Sequence, residues 1–390
     1  MIELRGSTWD HPRGWGGVRA SAEHFARERP GVRVSWEVRT LQSFADHPIE
    51  ELAAVYDLIV LDHPSIGAAV NAGALVPLDE HLEGTFLEEQ AASGVGRSHE
   101  SYTWDGHQWA LAIDAAAQVA AFRPDLLERS DIEVPRTWED VVASIEILRG
   151  HQLEIAMPAI PVDAICAFLG TCRSIGEEPF RSAECVVSRD VGRGALHVLR
   201  DVVARSHPAS TSWNPPAALE RMATSDEVAY VPLAFGYANF TRPGFAANAL
   251  RYTAGPVGAA GVPSGTLGGA GLAVSASSLH VEMACAYAAF TAAPEIQRTV
   301  YVDGGGQPGH RAAWTDPTAN ASAGGFFADT LDAVDAAYLR PRYDGFLAFQ
   351  DEGGNLVHGH LRDGGDADAA LDALDASYRA SLGTRAGAER

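Results

Sequence analysis

The sequence predicts an α/β fold divided into two lobes, and three observations predict it. At 390 residues the chain is too long for one ordinary hydrophobic core. Its first hundred residues alternate strand-like and helix-like stretches, the mark of a parallel sheet covered by helices. A second alternating set follows from about Glu154 onward.

In chain order, strands are expected at Ile2–Gly6, Val32–Val38 and Asp57–Asp62, the last a run (YDLIVLD) apolar enough to be buried on both faces. Helices are expected at Trp15–Arg29, Ile49–Tyr56 and Ile66–Asn71. The stretch Ser101–Val141 reads as two short strands, Gln108–Ile113 and Gln118–Phe122, then a helix from Pro124 and another capped by Thr137. Glu139 and Asp140 suit the positive end of that last helix.

Farther on, Glu154–Pro158 is a strand and Asp163–Ile175 a helix. Val191–Ser206 has a clear helical period, and Pro215 after Asn214 marks another helix start. SDEVAYVPLAFG and LRYTAGPV read as strands.

Composition is that of a globular protein, 46% hydrophobic and 21% charged. The net charge of -22 argues against a nucleic-acid or anionic-membrane partner, because those reward a basic face. No apolar run approaches membrane-spanning length. Cys166, Cys172, Cys185 and Cys285 lack metal-ligand or redox spacing and read as small apolar residues, with a Cys172–Cys185 bridge left open.

One tripeptide stands out. Asp-His-Pro occurs at Asp10–Pro12, Asp46–Pro48 and Asp62–Pro64, each beyond one of the first three strands or before the next helix. Asp caps helices and Pro suits their first turn, so capping alone accounts for the pattern. Loops at the carboxyl edge of a parallel sheet also gather around ligands. His11, His47 and His63, with Asp10 and Asp62, are therefore candidates to line a site or hold a divalent metal.

The stretch Tyr102–Asp140 resembles the crossover of extracellular solute-binding proteins family 1, the maltose- and oligosaccharide-binding receptors of ABC importers. Tyr102, Asp105, Gly106, Trp109, Asp114, Pro135, Thr137, Trp138, Glu139 and Asp140 carry the likeness. Gly73 with ALVPLDEH, GGAGLAVSASS as a strand, HVEMACAYAAFTAAPEIQRTVY as a helix pair with its Pro-Glu start, GGGQPGHRAA, and two terminal helices extend it over nearly the whole chain. There are two departures: Ala112 stands where the family commonly has Pro, and Arg123 where it has Asn.

The resemblance implies a two-lobed periplasmic-binding-protein type II-like fold with the ligand between lobes. One lobe would comprise residues 1–113 and 268–308, the other 114–267 and 309–390. It implies reversible capture of a sugar or polyol for an ABC transporter permease, by a monomer that is no enzyme and needs no cofactor or metal. The expected ligand contacts are Trp9, Asp10, His11, Ser43, Asp62, His63, Asp114, Trp213, Phe235, Tyr237, Gly269 and Gln307. Aromatic rings among them would stack on sugar faces, while Arg311 is expected to be structural.

Localisation follows the family, outside the cytoplasm. The chain runs from Met1 straight into IELRGS without a leader, so a cytoplasmic carrier or sensor on the same fold is the alternative. A metal- or carboxylate-binding protein or enzyme using the three Asp-His-Pro loops is another. No metalloprotease, nucleophile-elbow or phosphate-loop pattern occurs, whereas a pair of catalytic carboxylates leaves no sequence spacing to search for.

Overall fold

The computed structural model describes residues 1–40 and 49–383. Among them, one sheet of eight strands carries the molecule. Strands β1 (Ile2–Trp9), β2 (Val32–Arg39) and β3 (Leu58–Leu61) pair in parallel around β1, as their helix-linked alternation requires. Two short strands, β4 (Thr103–Trp104) and β5 (His107–Gln108), form a separate hairpin. They lead into β6 (Ala110–Phe122), thirteen residues long.

β6 replaces the two strands expected from sequence. Its first part, from Ala110 to Ala117, lies antiparallel to β10 (Leu267–Val274). The remainder pairs with β8 (Val228–Phe235) and β9 (Arg251–Thr253), and β7 (Glu154–Ile155) adds to β8 in parallel. The strand order is β2-β1-β3-β10-β6-β8-β7, so β6 alone ties the two halves of the sheet together by a continuous backbone ladder. Irregularities at Ala270/Gly271 and between Val119 and Ala121 bend it at the junction.

Each half has its own core. Leu4, Val18, Phe25, Leu58, Leu272 and Tyr287 pack together around the parallel strands. On the other side, Trp138, Ile145, Phe168, Leu199, Tyr230 and Phe349 pack around β7 and β8. This is the two-lobed arrangement expected for the chain length. The helix after Thr137 spans Trp138–Gly150 with a complete capping box, Thr137 accepting from the Asp140 N–H and Asp140 accepting in return.

Most boundaries differ from expectation by a few residues. The first helix is Pro12–Glu28, beginning at the proline rather than at Trp15, and β1 runs on through Trp9. The third strand's following turn and the Ile66–Asn71 helix fall where expected. The Cys172–Cys185 bridge is absent; all four cysteines are free thiols, three of them buried. Among the described residues no helix is long and apolar enough to cross a membrane.

Two further segments cross the junction beside β6. The Ala115 N–H donates to the Gln307 carbonyl at 3.1 Å and the Gly309 N–H to Ile113 at 3.2 Å. A side chain at Gly309 would sit 2.2 Å from the Ala112 carbonyl oxygen, which is why the approach needs glycine. Tyr338 exchanges backbone bonds with Gly265 and Leu267 on the other flank.

Candidate functional site

A cavity of about 670 Å³ opens where the crossing segments meet. Its floor is built from two arginine–aspartate pairs. Arg13 occupies the second position of the Pro12–Glu28 helix, whose start is fixed by His11: the Nδ1 atom accepts from the Arg13 N–H at 3.0 Å. From there the guanidinium reaches Asp114 on β6, Nε donating to Oδ2 at 2.8 Å and Nη2 to Oδ1. Nη1 donates to the Gly236 carbonyl at 2.9 Å, so one side chain ties the first helix to the far half of the sheet.

Arg13 and Asp114 are 4% and 1% exposed. Burial works against the charge on Arg13, but Asp114 outweighs it and raises the arginine above its ordinary range. The guanidinium also lies 4.8 Å from the Tyr237 ring centre, a cation–π contact that holds the ring in place.

The second pair is Arg340 with Asp62, Nη2 donating to Oδ2 at 2.8 Å. Arg340 Nη1 donates to Gln350 Oε1 at 2.7 Å. Asp62 Oδ1 also accepts from the His63 N–H at 2.9 Å. Burial pushes the Asp62 carboxyl up, and Arg340 and His63 together push it down further, so it stays ionised.

The walls are aromatic and apolar. Trp9 packs its indole on Gly14, where a Cβ would lie 2.4 Å from the ring. Phe235, at the end of β8, lies over Gly268, where a Cβ would be 2.6 Å from it. Ile160, Pro161, Pro215 and Pro216 close the side formed by two helix starts. Flat rings beside fixed polar groups suit the alternating apolar faces and hydroxyl edges of a small polyhydroxylated molecule.

Of the residues expected from sequence, Trp9, Asp62, Asp114, Phe235, Tyr237 and Gly269 line the cavity. Gly269 has φ +115° and would bring a Cβ within 2.3 Å of the Asp114 carbonyl oxygen, so its glycine serves strand approach. Ser43, and the Asp46–Pro48 copy of the tripeptide with His47, fall outside the described residues.

The other expected residues that the structure describes lie off the cavity wall. His11 caps its helix and sets its ring edge-on to Tyr237, centroids 4.6 Å apart, without lining the cavity. His63 is 0% exposed beneath the loop; its Nδ1 lies 3.1 Å from Asp62 Oδ1 without hydrogen-bond alignment, and its Nε2 has no partner. Asp10 is exposed and not on the cavity wall. Trp213 is stacked on His207 at 4.4 Å instead. Gln307 is spent on the crossing, Nε2 donating to the Ala115 carbonyl at 2.7 Å and Oε1 accepting from the Ala238 N–H at 3.1 Å. His11 and His63 thus lie off the cavity wall, and no group of three metal-ligating side chains occurs among the described residues.

Sequence reasoning missed Arg13, Asp163, Arg340 and Gln350, all on the cavity. Arg13 had a signal: a cation in a first helical turn opposes the helix dipole, so it needs a carboxylate elsewhere. Asp163 is an ordinary first-turn acid to the eye, and Arg340 lies in a loop with no pattern. The two departures from the family are structural. Arg123 is buried and paired with Asp125 and Asp226, away from the cavity. Ala112 leaves its carbonyl facing Gly309. Arg311 pairs with Asp335.

Residues 16–155 match the family of bacterial extracellular solute-binding proteins, and that segment contains the crossover pattern read from sequence. A sequence search of curated proteins gave no match. Many solved structures share the fold. Maltose-bound MalE3 of T. maritima aligns with a TM-score of 0.84 at 19% identity, over 97% of this chain and 99% of that one. A ribitol complex of an ABC transporter solute-binding protein from Agrobacterium radiobacter K84 gives 0.81 at 20%, over 97% and 98%. An α-D-tagatose complex of another from Thermotoga lettingae TMO gives 0.80 at 15%, over 98% and 100%. The two-lobed solute-binding fold is thereby borne out along the chain.

Proposed function

We propose that this protein captures a sugar or polyol between its two lobes and presents it to an ABC transporter permease, acting outside the cytoplasm as a monomer. The observation that carries the reading is the cavity at the sheet junction, where Arg13–Asp114 and Arg340–Asp62 form a fixed polar floor between the rings of Trp9, Phe235 and Tyr237. Preorganised side chains of this kind bind without first paying to become ordered. The bound ligands of the structural neighbours, maltose, ribitol and α-D-tagatose, belong to the same chemical class.

The lobes are residues 1–113 with 268–308, and 114–267 with 309–390. The hinge lies at the junction where β6 is flanked by Gln307–Gly309. Closure would rotate the lobes about those few residues, and the closed form is what the permease recognises. Binding of this kind requires no turnover.

A thermal-shift screen with monosaccharides, oligosaccharides, polyols, carboxylates and divalent metals, each with and without chelator, tests this. A sugar or polyol should raise the melting temperature with increasing concentration, indifferent to chelator. A shift with metal alone, or only with metal-dependent carboxylates, would overturn it.

A further inference from the structure

The cavity contains one buried carboxyl that the protein leaves unanswered. Asp163 stands third in the Pro161–Ile175 helix, 2% exposed and on the cavity lining. It does not cap its helix, and its Oδ2 has no hydrogen-bond partner. The other lining acids are differently placed: Asp62 is matched by Arg340, Asp114 by Arg13, and Asp351 is exposed on the Phe346–Asp363 helix. Four aspartates therefore line the cavity with two arginines, each already paired with one aspartate, although Arg340 Nε has no hydrogen-bond partner.

We propose that the solute carries a protonated amine beside its hydroxyls, and that Asp163 is the group that receives it; this rests on the sugar or polyol reading above. A hydroxyl meets the protonated acid with neutral hydrogen bonds only and cannot hold the ionised carboxylate against its burial. An ammonium group donates up to three and supplies the missing charge.

The surroundings fit. The charged or titratable groups that act on Asp163 are Arg340, Tyr237 and Cys166, and none of them bonds its carboxyl. Burial, opposed by Arg340, pushes Asp163 up to about 8, so near neutral pH the empty site holds the acid protonated. Binding a cationic amine exchanges that proton: the acid and the ammonium become a carboxylate–ammonium pair, and one proton goes to solvent.

Paired probes test this by calorimetry at pH 7: glucose with glucosamine, galactose with galactosamine, sorbitol with glucamine. In at least one pair the amino member should bind tenfold or more tightly. Its binding enthalpy should vary with buffer ionisation heat by close to one released proton. Asp163→Asn should erase the preference and the proton release, while melting no lower than the parent. Neutral members binding as well as amino members would overturn the inference and leave the sugar or polyol reading standing. A preference that survives Asp163→Asn would overturn it too, as would binding of no amino member, while the sugar or polyol reading is decided separately by the thermal-shift screen.

Discussion

Arg13 and Asp114, 101 residues apart in sequence, meet in a two-pronged ion pair at the floor of the cavity. One belongs to the first helix and the other to the strand that joins the two halves of the sheet. Such a pair fixes geometry more than it adds net stability, since both charges lose their water.

Removing one member should therefore be costly. Arg13→Met leaves Asp114 buried and unmatched and is expected to cost about 3–5 kcal/mol. The double change Arg13→Met with Asp114→Leu should recover most of that loss in urea unfolding, yet still fail to bind the solute. A double variant as unstable as the single would show that the pair is needed for folding itself.

The buried histidine predicts an acid-sensitive fold. His63 is held down to about 4 by burial, below its ordinary 6.5. Its contribution is fully present above the unfolded value and is lost as pH falls from about 6.5 towards 4, at up to about 1.4 kcal/mol per pH unit. Wild type and His63→Met should diverge over that interval in urea unfolding, with the variant the flatter. Parallel curves would contradict the burial assigned to this ring.

Two glycines should respond in opposite directions to alanine. At Gly269 the positive φ and the 2.3 Å approach to the Asp114 carbonyl should make the change cost about 2 kcal/mol or more. At Gly359, within the Phe346–Asp363 helix and with nothing near its Cβ position, alanine should stabilise by about 0.5–1 kcal/mol. Melting temperatures of both variants decide it.

The fold was legible where pattern and burial agreed. YDLIVLD reads as a doubly buried strand because it is one: Leu58–Leu61 is buried throughout. The expected break before Gln118 failed because Asp114-Ala-Ala-Ala has little strand preference of its own. Partners on both edges and cover on both faces impose the extended form on β6. At the site, aromatic residues at strand ends were readable from sequence, since strand ends converge at the junction. For His11 and His63 the sequence could not separate capping from ligand contact, because both draw on the same residue types at the same place. Arg340 and Asp163 were invisible, because their roles depend on partners that only the fold brings near.

The direct measurement is titration calorimetry of wild type and Phe235→Ala with the sugar or polyol that gives the largest thermal shift. Phe235 is partly exposed on the cavity wall, so its loss should remove a stacking face without unfolding β8. One site per chain, with affinity at least tenfold weaker in the variant, is the predicted result. Unchanged affinity in a variant that melts like wild type would place the solute elsewhere and contradict the account.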